Sequence, residues 1–221
     1  MENDTKLYTI DDVKIAVDKS IDEFTKNKVF SALEAGTWGV KDYQSLLLTL
    51  FYQVYQGTMS FAAAASNCPS RFVLLREYLV HHAAEEMDHY HWIIDDLKST
   101  GYEGPEPKDL LPSTEALAYV SFNVNNALHN PHARIASSLI LEGLGQKYGG
   151  WFGNMVIEKT ELTKDNLSFF LSHGETDKEH IVELWEVVSK CEMTSDEWKW
   201  MAHSAKVAGT FYKGMWDSSV S

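Results

Sequence analysis

The chain has 221 residues, 44% of them apolar, and a formal net charge of −13. At roughly 150 residues per domain, that suits one domain spanning 1–221 with a sizeable core, and no Pro-rich or Ser/Gly-rich linker divides it. An acidic chain without clustered Lys and Arg is a poor partner for nucleic acid, and no run of about 18 apolar residues is present to cross a membrane.

The opening MENDTKLYTIDD lacks the basic start and apolar run of a signal peptide. Two cysteines, Cys68 and Cys191, do not make a disulfide framework. A cytoplasmic location is the expectation.

In chain order the pattern is helical throughout. TIDDVKIAVDKSIDEFTKNKVFSALEAG carries a cap at Thr9, apolar residues at helical spacing and a stop at Gly36. DYQSLLLTLFYQVYQGTMSFAAAAS is apolar enough for a buried helix and is broken by NCPS at Pro69. Its aromatic run is core, with some rings free to line a pocket. A third helix spans 71–100 and ends at Gly101. The loop GYEGPEPKDLLPS follows, with three of the five prolines. Helices are then expected over 114–128, over ARIASSLILEGLGQKYGGWFGNMVIEK after the turn HNPH, and over 164–190. The last runs from TSDEW to about Met215, with Thr194 and Glu197 at capping-box spacing. Nothing reads as a strand, so the fold class is all-α, a bundle of about seven helices.

Two helices carry matching stripes. In HHAAEEMDH, His82, Glu86 and His89 are spaced by four and three; in HGETDKEH, so are His173, Asp177 and His180. On an α-helix each triple falls at about 0°, 40° and −20°, one face offering nitrogen, oxygen and nitrogen. One such stripe is an ordinary polar surface more often than a metal site. Two with identical spacing on separate helices favour metal. Each stripe is about 10.5 Å long, so its two histidines reach a single ion only by leaning together. Two ions about 3.5–4 Å apart suit the span better.

A bridging carboxylate is available in SSLILEGLG, where Glu142 has almost entirely apolar neighbours. A buried carboxylate is costly unless paired, and a metal removes most of that cost. Ser138, Gly145 and Gly149 share its face and leave space beside it; alternatively Glu142 pairs with Arg or Lys, or the glycines only let two helices approach. Imidazole and carboxylate donors suit iron, manganese or zinc, and a dinuclear carboxylate pattern in a helical bundle points to iron first.

With these motifs the chain resembles the heme-oxygenase-like diiron oxidases and oxygenases, iron-containing redox enzymes on a fold shared with TenA and PqqC proteins. The resemblance covers about 40–215 and lies in EEMDHYHWIIDDLKSTG, LILEGLG and FFLSHGETDKEH. It implies a heme-oxygenase-like bundle in which Glu142 bridges and His173, Asp177 and His180 are ligands. It also implies two Fe(II) ions, or a manganese–iron pair, with dioxygen as co-substrate. The implied activity is oxidation or fragmentation of a small carboxylate substrate, an amino acid or fatty acid, by N-oxygenation, desaturation or C–C cleavage to a nitrile or alkene. A homodimer is the expected assembly. The chain departs from the family in one place: many members have Glu seven residues before the third-helix His, where His82 stands here. The choice between Glu85 and Glu86 therefore stays open, as does whether His82 binds metal or supports the site.

Heme oxygenase proper needs an axial His on its first helix, and no His precedes His81. A thiaminase-like enzyme needs a reactive Cys, and neither cysteine has an evident activating partner. A ferritin-like protein would show E-x2-H twice; it occurs once, at Glu86 and His89. A metal-independent ligand-binding or regulatory protein on the same fold is the rival from another class. His81 and His91 read as surface histidines, and His129 and His132 as solvated. His203 reads as core or cavity-facing, and Tyr148 as turned away from Glu142.

Overall fold

The computed structural model of the protein describes residues 6–220, and within them the side chains of all but 175–178. The described residues are helical without strands, as the sequence pattern requires, but they form ten α-helices rather than seven. They are α1 (Ile10–Phe24), α2 (Lys28–Glu34), α3 (Val40–Asn67), α4 (Val73–Glu85), α5 (Tyr90–Ser99), α6 (Thr114–His129), α7 (Pro131–Leu144), α8 (Gly150–Lys159), α9 (Ser168–Ser189) and α10 (Ser195–Ser218).

The additional helices arise because three predicted helices are interrupted. Asn27 ends one pattern and starts the next: its side chain accepts from the Phe30 N–H at 2.8 Å and donates to the Phe24 carbonyl at 2.7 Å. Glu86–Asp88 tightens into a 3-10 turn between α4 and α5. Gly145–Gly149 widens into a π-helix between α7 and α8. Such interruptions keep the apolar periodicity of their flanks, so hydrophobic pattern alone reads through them.

The expected caps are present. Thr9 with Asp12, and Thr194 with Glu197, form capping boxes. Gly36 and Gly101 take φ of +68° and +73°. Each reverses the chain after a helix, so that the following N–H returns to a carbonyl five residues back: Thr37 to Ala32, and Tyr102 to Leu97.

α7 is the central helix. Every residue in it except Leu141 is buried, and α1, α3, α6, α9 and α10 all pack on it. Its small residues permit that approach; a Cβ on Gly143, for example, would stand 2.8 Å from Ile21 Cδ1. An aromatic cluster closes one end: Phe24 stacks on Tyr212 at 5.4 Å and meets Trp216 edge-on at 5.0 Å. Phe152 joins it at 5.1 Å from Trp216 and 4.8 Å from Phe170. Such ring pairs contribute about 0.5–1.5 kcal/mol each beyond burial. Among the described residues no helix is long and apolar enough to cross a membrane.

Candidate metal centre

The two histidine stripes face each other. α4, the 3-10 turn and α5 form one wall, and α9 forms the other, running antiparallel to it. His82 therefore meets His180, with ring centroids 5.2 Å apart, and His89 meets His173 at 4.9 Å. The donors fall into two groups, one of His82, Glu86 and His180, the other of Glu86, His89 and His173, with the donor atoms of each within 4.8 Å of one another. Each group takes one histidine from each wall. A single stripe's two histidines thus serve different groups, as the stripe length suggested.

Glu86 belongs to both groups. It opens the 3-10 turn and stands between the two histidines of its own stripe. Glu86 itself sits at φ −75°, ψ −7°, still in the right-handed helical region. One of its carboxylate oxygens lies 2.9 Å from His89 Nδ1 and 3.9 Å from His173 Nε2. Burial would raise its carboxyl, but the imidazoles of His173 and His89 outweigh that and hold it well below the usual carboxylate range. Glu85 stands at the rim, 3.8 Å from His180 Nε2 and also 3.4 Å from the exposed His81.

Glu142 is buried, as its apolar surroundings predicted, and lies 3.4 Å from His82 Nε2. The bridge expected of Glu142 contrasts with this geometry, in which the carboxylate common to both groups among the described residues is Glu86. The side chain of Asp177, the carboxylate expected on α9, lies outside the described residues.

The supporting contacts orient the donors. His173 Nδ1 lies 2.8 Å from the Phe169 carbonyl, so it carries the proton and donates, leaving Nε2 directed at Glu86. The His82 ring stacks on Tyr78 at 5.2 Å and meets Phe61 edge-on at 4.7 Å. Burial pushes the His82 imidazole down to about 4, so it is neutral and keeps a lone pair at neutral pH. Tyr78 Oη donates to Glu142 at 3.5 Å and touches His82 Nδ1 at 3.5 Å. Trp92 stacks on His89 at 4.1 Å. Sequence reasoning passed over Tyr78 and Trp92, although both keep helical spacing to a donor, four before His82 and three after His89.

The donor set fits a divalent transition metal. It combines imidazoles with a carboxylate held charged, and it lacks thiolate. His180 Nδ1 is buried without a hydrogen-bond partner among the described residues, a cost that ligation would remove.

The cluster opens onto a cavity of about 120 Å3. His82, Glu86, Glu142 and His173 reach it, with Arg134 beside them and aromatic rings opposite. Ser138, Gly145 and Gly149 line it, so the space expected beside Glu142 exists. Gly149 also meets Gly174 of α9: a Cβ there would lie 3.1 Å from Gly174 Cα, so close helix approach is its second use.

Several expectations are corrected. Tyr148, within the π-helix, lines the cavity. In the aromatic run of α3 it is Gln53, Val54 and Gly57 that line the cavity, while Tyr55 is exposed. His203 faces solvent and His132 is buried against Phe72. His81, His91 and His129 are exposed, as expected. Burial pushes the thiols of Cys68 and Cys191 up to about 11, which makes both poor nucleophiles.

Residues 46–207 match the family described as iron-containing redox enzymes. No curated protein matches the chain. Similar solved structures include a domain of unknown function with a heme oxygenase-like fold from Shewanella denitrificans, at 15% identity and TM-score 0.84, covering 97% of this chain and 93% of that one. A TenA homologue from P. horikoshii is similar at 12% identity and TM-score 0.76, covering 96% and 98%. Heme oxygenase-1 from the cyanobacterium Synechocystis, solved with heme, is similar at 14% identity and TM-score 0.72, covering 94% and 90%. At these identities the likeness is one of fold, and it establishes the heme-oxygenase-like bundle. The family match spans most of the chain, and the protein belongs to the iron-containing redox enzymes.

Proposed function

We propose that the protein is a nonheme diiron oxygenase that uses two Fe(II) ions and dioxygen to oxidise a small carboxylate substrate, an amino acid first among these. The observation that carries this reading is the pair of donor groups sharing Glu86 at the edge of a cavity walled largely by aromatic rings. His82 and His180 would hold one ion, His89 and His173 the other, and Glu86 both. Glu142 would close the His82 side, with Asp177 as the carboxylate from α9. A manganese–iron pair suits the same donors.

When bound, the metal pair would supply dioxygen activation and electrons. The chain supplies the rest. Glu86 and Glu142 offset divalent charge, and neutral imidazoles complete the set without adding any. Tyr78 holds a proton on Oη between Glu142 and His82, in a place sheltered from solvent. The aromatic wall keeps water from the reacting end of a substrate.

The test is anaerobic loading of the apo protein with ferrous iron, a count of ions retained per chain, then dioxygen with candidate amino acids and fatty acids. Two ions per chain are expected in the wild type, with retention lost in Glu142→Ala and His173→Ala. Unchanged retention in those variants refutes the site. No retained ion in the wild type would favour the metal-independent ligand-binding reading.

A further inference from the structure

Among the described residues Arg134 is the one Arg or Lys side chain in the cavity lining, and the metal site makes no use of it. It sits on α7, two turns before Glu142, and only 3% of it is exposed. Its Nε donates to Ser60 Oγ at 2.9 Å, and its guanidinium lies 4.0 Å from the centroid of the Phe61 ring. Nη1 is buried with no hydrogen-bond partner, and no carboxylate of the described residues pairs with it within 4.0 Å. Burial lowers its pKa only to about 10, so it remains a cation at neutral pH. The charges of Glu142 and Glu86 reach it only through space, and a buried cation without a directly paired counter-ion is costly and is kept where something else completes its neutralisation.

The geometry of the cavity indicates what that is. Phe61 touches both Arg134 and a donor: the guanidinium lies over its ring, and the His82 ring stands at 86° to it with centroids 4.7 Å apart. The guanidinium is therefore separated from the His82 ring by no more than these two contacts together. Much of the remaining wall is apolar, with Phe24, Phe30, Phe152, Phe170, Trp216 and Leu141 in it.

We propose that Arg134 anchors the carboxylate of the substrate and that the aromatic wall receives an apolar body attached to it. This rests on the diiron oxygenase reading and narrows its substrate to apolar monocarboxylates, including apolar amino acids. The unpartnered Nη1 is a charged donor for one carboxylate oxygen. A phosphate dianion would leave a surplus negative charge beside Glu86 and Glu142. The cavity of about 120 Å3 is smaller than the dry cavity of about 150 Å3 that holds benzene, so the body it suits is at most a single ring or a short chain.

The test compares wild type, Arg134→Met and Arg134→Lys for binding of 3-phenylpropanoate, hexanoate and L-phenylalanine, by calorimetry on metal-free and ferrous-loaded protein under anaerobic conditions. Hexanol and inorganic phosphate are the controls. At least one carboxylate is expected to bind wild type at least tenfold more tightly than hexanol or phosphate. Arg134→Met should weaken that binding by about 100-fold and Arg134→Lys by about tenfold, with the ferrous ion count unchanged in both. The lysine variant keeps the charge and covers the case where the methionine variant fails to fold. If carboxylates bind both variants as well as wild type, or never exceed the controls, the anchor is refuted. If carboxylate binding depends on Arg134 while no iron is retained, the anchor stands and the diiron reading falls.

Discussion

Asp96 of α5 caps the helix that begins at Ser168. Its Oδ1 accepts from the Ser168 N–H at 2.9 Å and the Ser168 hydroxyl at 2.6 Å. Its Oδ2 accepts from the Phe169 N–H and from the buried Tyr43 hydroxyl, both at 3.0 Å. α9 has no side-chain cap from its own N-cap residue, Leu167, so the neighbouring wall of the site provides one. The Phe169 whose N–H is held also presents the carbonyl that orients His173. A carboxylate outside the donor cluster thus sets the start of one helix against another and, one turn on, the aim of a donor.

Asp96→Asn therefore affects both stability and the site. The amide presents hydrogens to donors at one of two fully used oxygens, leaving buried donors unsatisfied at a cost of about 2–3 kcal/mol. At about 2–4 °C per kcal/mol for a chain of this size, thermal unfolding should fall by ~5–10 °C. Ferrous affinity should weaken as well, because His173 loses its reference. A variant with unchanged melting temperature would show that the cap contributes nothing.

Gly149→Ala probes the other contact of α9. The added Cβ would stand 3.1 Å from Gly174 Cα, and backbone cannot swing aside as a side chain can. The helices must separate by a few tenths of an ångström, at a cost of about 1–3 kcal/mol. Gly150→Ala is the control, since a Cβ there meets nothing within 4 Å. Equal stability of the two variants, by chemical denaturation, would count against close approach as the role of Gly149.

Much of this arrangement is legible in the sequence. Equal spacing in two stripes marks His82, Glu86, His89, His173 and His180 as neighbours because a helix converts spacing into direction, and apolar neighbours mark Glu142 as buried. What could not be read is where helices change pitch. The 3-10 turn at Glu86–Asp88 and the π-helix at Gly145–Gly149 are set by packing and leave apolar periodicity nearly intact. The shared Glu86 opens the first of these turns, and the cavity-lining Tyr148 lies in the second. Arg134 was invisible for a different reason: flanked by small and apolar residues in HARIASS, it shows its missing counter-ion only once the chain is folded.

The shared position of Glu86 separates it from Glu85. Glu86→Gln should lower ferrous affinity at both sites by about 100-fold or more, because one change removes a donor from each group. Glu85→Gln, altering a rim group, should cost about tenfold or less, the lower end of what outer residues contribute. Titration against a competing chelator measures both. If Glu85→Gln is the more damaging, the assignment of Glu86 is wrong.

His132 gives a pH-dependent test away from the metal centre. It is buried against Phe72, and burial holds its imidazole below the ordinary value of 6.5. Above that pH the residue is neutral in folded and unfolded chains alike and costs nothing. As pH falls through about 6.5 the unfolded chain takes up a proton that the folded chain refuses, so stability falls. His132→Gln removes this proton uptake, and the loss of stability between pH 7 and 5 should become shallower than in wild type. His82, pushed down to about 4, acts with the same sign, so the readout is the difference between the two proteins and not the slope of either. Coincident slopes would mean that His132 titrates as a solvated histidine, as its place beside a turn suggests from sequence alone.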